Sequence, residues 1–142
     1  MLDHVEFAYT DLPVKSLPSS SRSRLISRPI IPLIILYKDK FVQYQALLDT
    51  GADYNVFHAD IAVYLGINLT KGRCIKITGI GGDSIKGYEH KVDIKVGHKR
   101  ICTTIVFSRQ IPNNAIAVLG NQGFFNHFIV EFDYNSKKLS IT

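Results

Sequence analysis

The sequence predicts an all-β, closed, barrel-like domain with one or two short helices, and three observations predict it. Short apolar runs recur between turns bearing Gly and Asn, and only two brief segments carry a helical pattern. The aromatic content is eight Phe and seven Tyr with no Trp, alongside frequent Val and Ile. Branched and aromatic side chains suit a pleated, half-buried surface, and many short strands joined by turn signals point to a sandwich or barrel. At 142 residues, 46% hydrophobic and 20% charged, the chain can bury the core of one compact domain.

The elements follow in order. Residues 1–28 differ in composition from the rest. A short strand is expected at 5–9, but residues 11–28 hold Pro13, Pro18 and Ser19-Ser20-Ser21, too little apolar surface to order themselves. They are expected to form an arm or linker, with the folded domain spanning 29–142. Ile30 to Tyr37 reads as a strand, Lys38-Asp39-Lys40 as a turn, and Phe41 to Leu48 as the returning strand, where Val42, Tyr44, Ala46 and Leu48 alternate with Phe41, Gln43, Gln45 and Leu47. His58 to Leu65 reads as a short helix capped by Gly66. Strands are then expected at 73–78, 85–96 (weakened at Gly87) and 101–107, and Ile116 to Leu119 is a brief apolar run ending at Gly120. A second short helix at 121–127 and strands at 128–133 and 138–142 complete the chain.

Several function classes are excluded on composition. The net charge of +5 is concentrated only in the arm, at Lys15, Arg22, Arg24 and Arg28. No aromatic platform is interleaved there, so a solvated basic segment is expected and no nucleic-acid partner. The longest apolar run, Ile30 to Tyr37, is too short to cross a bilayer, and no basic-then-apolar leader opens the chain. No membrane association and a cytoplasmic location are therefore expected. Cys74 and Cys102 lack CxxC spacing and read as reduced, packed thiols. Histidines 4, 58, 90, 98 and 127 show no metal spacing, and no Gly-x-Ser-x-Gly motif is present. No metal and no cofactor are expected.

Chemistry concentrates in Asp49-Thr50-Gly51-Ala52. The motif ends an apolar strand, where a turn can lift a carboxylate into a cleft. Gly51 permits a tight conformation closed to other residues, and the Thr50 hydroxyl can bond a neighbouring loop. Taken alone, Asp-Thr-Gly is also ordinary turn chemistry. A calcium loop is not supported, because Asp49 and Asp53 lack the Asp-x-Asp-x-Asp-Gly spacing. Two further stretches accompany the motif: Thr78-Gly79-Ile80-Gly81-Gly82, and Val118-Leu119-Gly120. The glycine-rich stretch lacks the long helix and the Lys-Ser/Thr pair of a phosphate loop, and reads as the bendable tip of a hairpin.

Together, in this order and spacing, the three elements resemble the retropepsin-like aspartic proteases, a single-domain cellular or viral family. The resemblance covers most of residues 29–142. It implies that Asp49, Thr50 and Gly51 form the catalytic loop, and that Ala52 and Asp53 contact the substrate. Gly79, Ile80, Gly81 and Gly82 would form the tip of a flap over the peptide, while Leu119, Gly120 and Asn121 support the catalytic loop from behind. Family members use two carboxylates, and this chain has one Asp-Thr-Gly. The resemblance therefore implies a symmetric homodimer in which Asp49 of each copy activates water for hydrolysis of a peptide or protein substrate. Ala52 stands where pepsin-like enzymes commonly carry a hydroxyl, which moves the expected optimum from strongly toward mildly acidic pH. Asn121 stands where many relatives carry Arg, and Asn cannot make a bidentate charged clamp. The alternative reading is a catalytically weak or inactive module for peptide binding or dimerisation.

Overall fold

Alternating apolar and polar residues build one long sheet that closes on itself. The structure, a computed structural model, describes residues 3–15, 23–112 and 114–142. The chain runs through β1 (Val5–Ala8), β2 (Thr10–Lys15), β3 (Ser23–Arg28), β4 (Ile30–Tyr37), β5 (Lys40–Leu48), β6 (Val56–His58) and helix α1 (Ala59–Tyr64). A 3-10 turn at Leu69–Lys71 follows, then β7 (Arg73–Thr78), β8 (Ser84–Val96), β9 (Lys99–Ser108), β10 (Ala117–Leu119), β11 (Val130–Asp133) and β12 (Lys138–Ile141).

The main sheet has the order β4-β5-β10-β6-β9-β8-β7. Its closure comes from β4 pairing with the far end of β8, Ile35 opposite Ile94. Six strands thus form a ring without free edges, which removes the exposed backbone donors and acceptors of an open sheet. The barrel predicted from sequence is present. Its interior is filled by Ile31, Ile35, Leu48, Phe57, Ile94, Ile105, Phe107 and Leu119, all buried. β7 lies outside the ring, paired to the first half of β8 as a projecting hairpin. Helix α1 starts at His58, whose Nδ1 accepts from the Asp60 amide at 3.0 Å. It ends ahead of Gly66, which takes the left-handed conformation at φ +77°.

A second, three-stranded sheet has the order β1-β12-β11. It turns Leu139 and Ile141 inward, and the Tyr9 backbone amide donates to the Lys137 carbonyl at 2.9 Å. β12 is the central strand, so both of its backbone edges are satisfied within the chain.

Four expectations differ from what is found. Part of the segment expected as an unstructured arm is a ribbon: β2 and β3 pair antiparallel, with Leu12 opposite Ile26. Residues 16–22 between them lie outside the described residues. Composition underrates this ribbon because its strands order each other, aided by a hydrogen bond from the Ser27 hydroxyl to the Asp11 carboxylate. The helix expected at 121–127 is a series of turns instead. Phe125 and Asn126 donate five residues back, to Gly120 and Asn121, and Gly123 at φ +114° breaks any regular helical path. Gly87 does not weaken its strand. β8 runs unbroken through it, and a side chain there would meet Val106 Cγ1 at 2.5 Å, so glycine admits the neighbouring strand. Finally, Cys74 and Cys102 are free but exposed, not packed, because both fall on outward positions of their strands. No helix among the described residues is long and apolar enough to cross a membrane.

Candidate active site

β5 carries buried Ala46 and Leu48 to the barrel wall, and the chain then leaves the sheet at Asp49. β10 runs parallel to β5 at this point, with Leu119 beside Leu48. The Asp49 amide donates to the Leu119 carbonyl at 3.0 Å, which anchors the first residue of the loop. Two bonds then fold the loop on itself. The Gly51 amide donates to Asp49 Oδ1 at 2.9 Å, and the Ala52 amide donates to the Asp49 carbonyl at 3.1 Å. The carboxylate is half-buried and one of its oxygens is held by a backbone donor. Thr50, Gly51 and Asp53 are exposed beside it.

At Gly51 the constraint is closeness to the Asp49 carboxylate and not an unusual backbone angle. Its φ is not positive, but a Cβ would stand 3.2 Å from Asp49 Oδ1. That corrects the reading of Gly51 as a conformation closed to other residues.

The far side of the loop is held by the residues after β10. Asn121 donates its amide to the Ala52 carbonyl and Gln122 to the Asp53 carbonyl, each at 2.8 Å. Gly120 lies so close that a Cβ would come within 2.5 Å of the Tyr54 carbonyl and 2.8 Å of the Ala52 carbonyl. Leu119, Gly120 and Asn121 thus all touch the Asp49–Asp53 loop through backbone.

Asn55 completes this support and is absent from the sequence reading. It is 1% exposed. Its Oδ1 accepts from the Gly120 amide at 2.9 Å, and its Nδ2 donates to the Thr104 carbonyl at 3.0 Å. A buried amide with both ends satisfied fixes local geometry at low cost. The signal available in sequence is a polar residue set between Tyr54 and the apolar Val56-Phe57 pair.

The glycine-rich stretch caps the β7–β8 hairpin. The Gly79 amide donates to the Asp83 carbonyl at 2.9 Å, and that of Gly82 to the Gly79 carbonyl at 3.0 Å. Gly82 has φ +82°, a conformation that glycine adopts freely. Ile80 is fully exposed at the tip, and Gly79, Gly81 and Gly82 are exposed with it. Among the described residues, no hydrogen bond joins this tip to the Asp49 loop. No group of three or more His, Cys, Asp and Glu among the described residues is placed to hold a metal ion.

The sequence model of a family described as aspartyl protease matches residues 37–121, which hold both the Asp49 loop and its support from β10. Among solved structures, the fold resembles a retropepsin-like aspartic protease from Rickettsia conorii, with a TM-score of 0.61 at 16% identity over 99% of both chains. It also resembles the EIAV protease complexed with the inhibitor HBY-793, with a TM-score of 0.50 at 28% identity over 66% of this chain and 81% of that one. No curated protein sequence matches the chain. With the family match spanning more than half of its length and a fold similar to these structures, the chain belongs to the aspartyl protease family and has its retropepsin-like fold.

Proposed function

We propose that the protein is an aspartic endopeptidase that works as a symmetric homodimer. The observation that carries this reading is the Asp49 carboxylate, half-buried where β5 meets β10, with Oδ1 held by the Gly51 amide. The chain has one Asp-Thr-Gly, and peptide hydrolysis by the shared-proton pair that aspartic proteases exemplify takes two carboxylates. The second comes from Asp49 of an identical chain across a two-fold axis. One carboxylate takes a proton from water as the water attacks, while the other, protonated, polarises the scissile carbonyl.

In this reading Asp49, Thr50 and Gly51 are the catalytic loop, and the exposed Thr50 hydroxyl braces it against its mate. Ala52 and Asp53 line the floor of the cleft. Gly79, Ile80, Gly81 and Gly82 are the flap tip, free to bend down onto an extended peptide held as an added strand. Leu119, Gly120 and Asn121 support the loop from behind. The protease unit is 29–142, with 1–28 an arm tied to it through β1. Since both edges of β12 are occupied within the chain, the dimer rests on the Asp49 loops and on the outer edges of β1 and β11.

The test is cleavage of a peptide library by purified protein beside an Asp49→Asn variant. Cleavage by the first and none by the second is expected; cleavage that survives the substitution removes Asp49 from the mechanism. A second reading, a peptide-binding or dimerising module with little activity, is favoured by Asn121, which meets the loop only through its amide where a cation would add a charged clamp. Library peptides that bind without being cut by the unmodified protein would select it.

A further inference from the structure

The β7–β8 hairpin below the glycine-rich tip has two unlike faces. Ile75, Ile77 and Ile85 lie on one, with Ile75 buried. Cys74, Lys76 and Thr78 leave β7 on the other, opposite Tyr88, Lys86 and Ser84 of β8. Both lysines and both hydroxyl residues of that second face are exposed.

The register sets Lys76 directly against Lys86, and hydrogen bonds fix which kind of pair this is. The Lys86 amide donates to Gln110 Oε1 at 2.6 Å, and its carbonyl accepts from the Ser108 hydroxyl at 2.7 Å. Both partners belong to the end of β9 and the residues after it, on the side of β8 away from β7. Toward the tip, the Gly79 amide donates to the Asp83 carbonyl at 2.9 Å. By the alternation of an antiparallel ladder, 77 with 85 is then also a hydrogen-bonded pair, and 76 with 86 is not. Lys76 and Lys86 therefore form the closer kind of pair, with Cα atoms about 4.5 Å apart. Like charges placed opposite each other are destabilising.

No carboxylate of the hairpin offsets them. Glu89 pairs with Arg73 at 3.4 Å, and Asp83 and Glu89 both fall on the isoleucine face by the same alternation. Neither lysine joins an ion pair among the described residues. The Lys86 ammonium instead lies 5.9 Å from the Tyr88 ring centroid. Beside the lysines, the Thr78 and Ser84 hydroxyls are 3.0 Å apart. One donates to the other, which leaves the second hydroxyl proton free to donate outward.

We propose that this outward face is a binding site for inorganic phosphate, held as a dianion between Lys76 and Lys86 with a hydroxyl of Thr78 or Ser84 as the third donor. Charge complementarity selects the ligand. A dianion puts two charges at one point between the two ammonium groups, whereas carboxylates on one face of an extended peptide stand about 7 Å apart. Bound there, phosphate bridges β7 and β8 three residues behind Gly79 and opposes bending of the hairpin. The site stands on this geometry alone. Its consequence, slower cleavage with phosphate bound, rests on the peptidase reading above, in which the tip is a flap.

The experiment titrates inorganic phosphate into the full chain, at constant ionic strength and a pH where phosphate is divalent, and follows backbone amides by NMR. Saturable shifts are expected at Lys76, Thr78, Ser84 and Lys86, and none with acetate, a monovalent anion. Lys76→Gln and Lys86→Gln should each raise the phosphate Kd roughly two- to fivefold, the scale of one exposed ion pair. Hydrogen exchange of the Gly79 amide should slow on adding phosphate to the parent and respond less in either variant. That difference separates a bound anion from the general stabilisation that phosphate gives any fold by exclusion. Shifts that stay linear with concentration, or one Kd shared by the parent and both variants, overturn the site. Asp49→Asn protein should bind phosphate with the parent's Kd, so the site can be established even if no cleavage is ever seen. Where cleavage is seen, saturating phosphate should lower kcat in the parent more than in Lys76→Gln, and equal inhibition of the two rejects the effect on the flap.

Discussion

The Asn55 carboxamide accepts from the Gly120 amide at 2.9 Å and so ties the end of the Asp49 loop to the strand that supports its start. The same side chain donates to the Thr104 carbonyl on β9, so a single amide joins three segments of the barrel. Asn55→Ala should leave the Gly120 amide and Thr104 carbonyl without partners in a buried place. At roughly 1–3 kcal/mol for each of the two unsatisfied groups, a loss of about 2–6 kcal/mol is expected by urea denaturation. Asn55→Asp keeps the acceptor but loses the donor and buries a charge, and should be no better than Ala at neutral pH. A stability within experimental error of the parent in both variants would show that the tie is not used.

Gly120→Ala tests the closeness of the two segments directly. The added Cβ would stand 2.5 Å and 2.8 Å from two backbone carbonyls, which cannot swing aside as a side chain can. The loop or β10 must shift, at a cost of about 1–3 kcal/mol. Because the shift falls on the residues that hold Asp49, activity should drop further than stability. Equal peptide turnover by Gly120→Ala and the parent at a temperature where both are folded would refute it.

How much of this could be read in the sequence follows the range of the interactions. The β4–β5 hairpin and helix α1 are written in local alternation and in the cap signals around His58 and Gly66, and both are found where the pattern puts them. The Asp49 loop, the glycine-rich tip and Gly120 are visible as motifs because backbone geometry restricts which residues can stand there. Asn55 is not, since its value lies in partners 49 and 65 residues away. β6 is only three residues long and gains its place from neighbours on both sides. The β2–β3 ribbon fails the compositional test because its residues satisfy one another's backbone without burying much apolar surface; Leu25 remains 68% exposed.

If two Asp49 side chains make one site, inactive chains should poison active ones. Mixing the parent with an equal amount of Asp49→Asn protein, under conditions where subunits exchange, leaves roughly a quarter of the dimers with two intact copies. Activity per total active chain should therefore halve. A rate that depends only on the concentration of active chains would mean that each Asp49 works without its mate.

The β11–β12 turn carries the pH dependence that can be followed most cleanly. The Ser136 amide donates to Asp133 Oδ1 at 2.9 Å, and this backbone bond first, with the Ser136 side chain next, holds the Asp133 carboxyl below its ordinary range. A carboxyl whose pKa falls on folding contributes stability that is fully present above its unfolded pKa and is lost as pH falls through the folded value. The turn should therefore loosen only in acid, and modestly, since the group is exposed to solvent. Hydrogen exchange of the Ser136 amide, corrected for intrinsic rates, should lose protection as pH is lowered through that range. Asp133→Asn retains an acceptor that does not titrate, so its Ser136 protection should stay flat over the same range. A parent profile as flat as that of the variant would remove the carboxylate from the turn's stability.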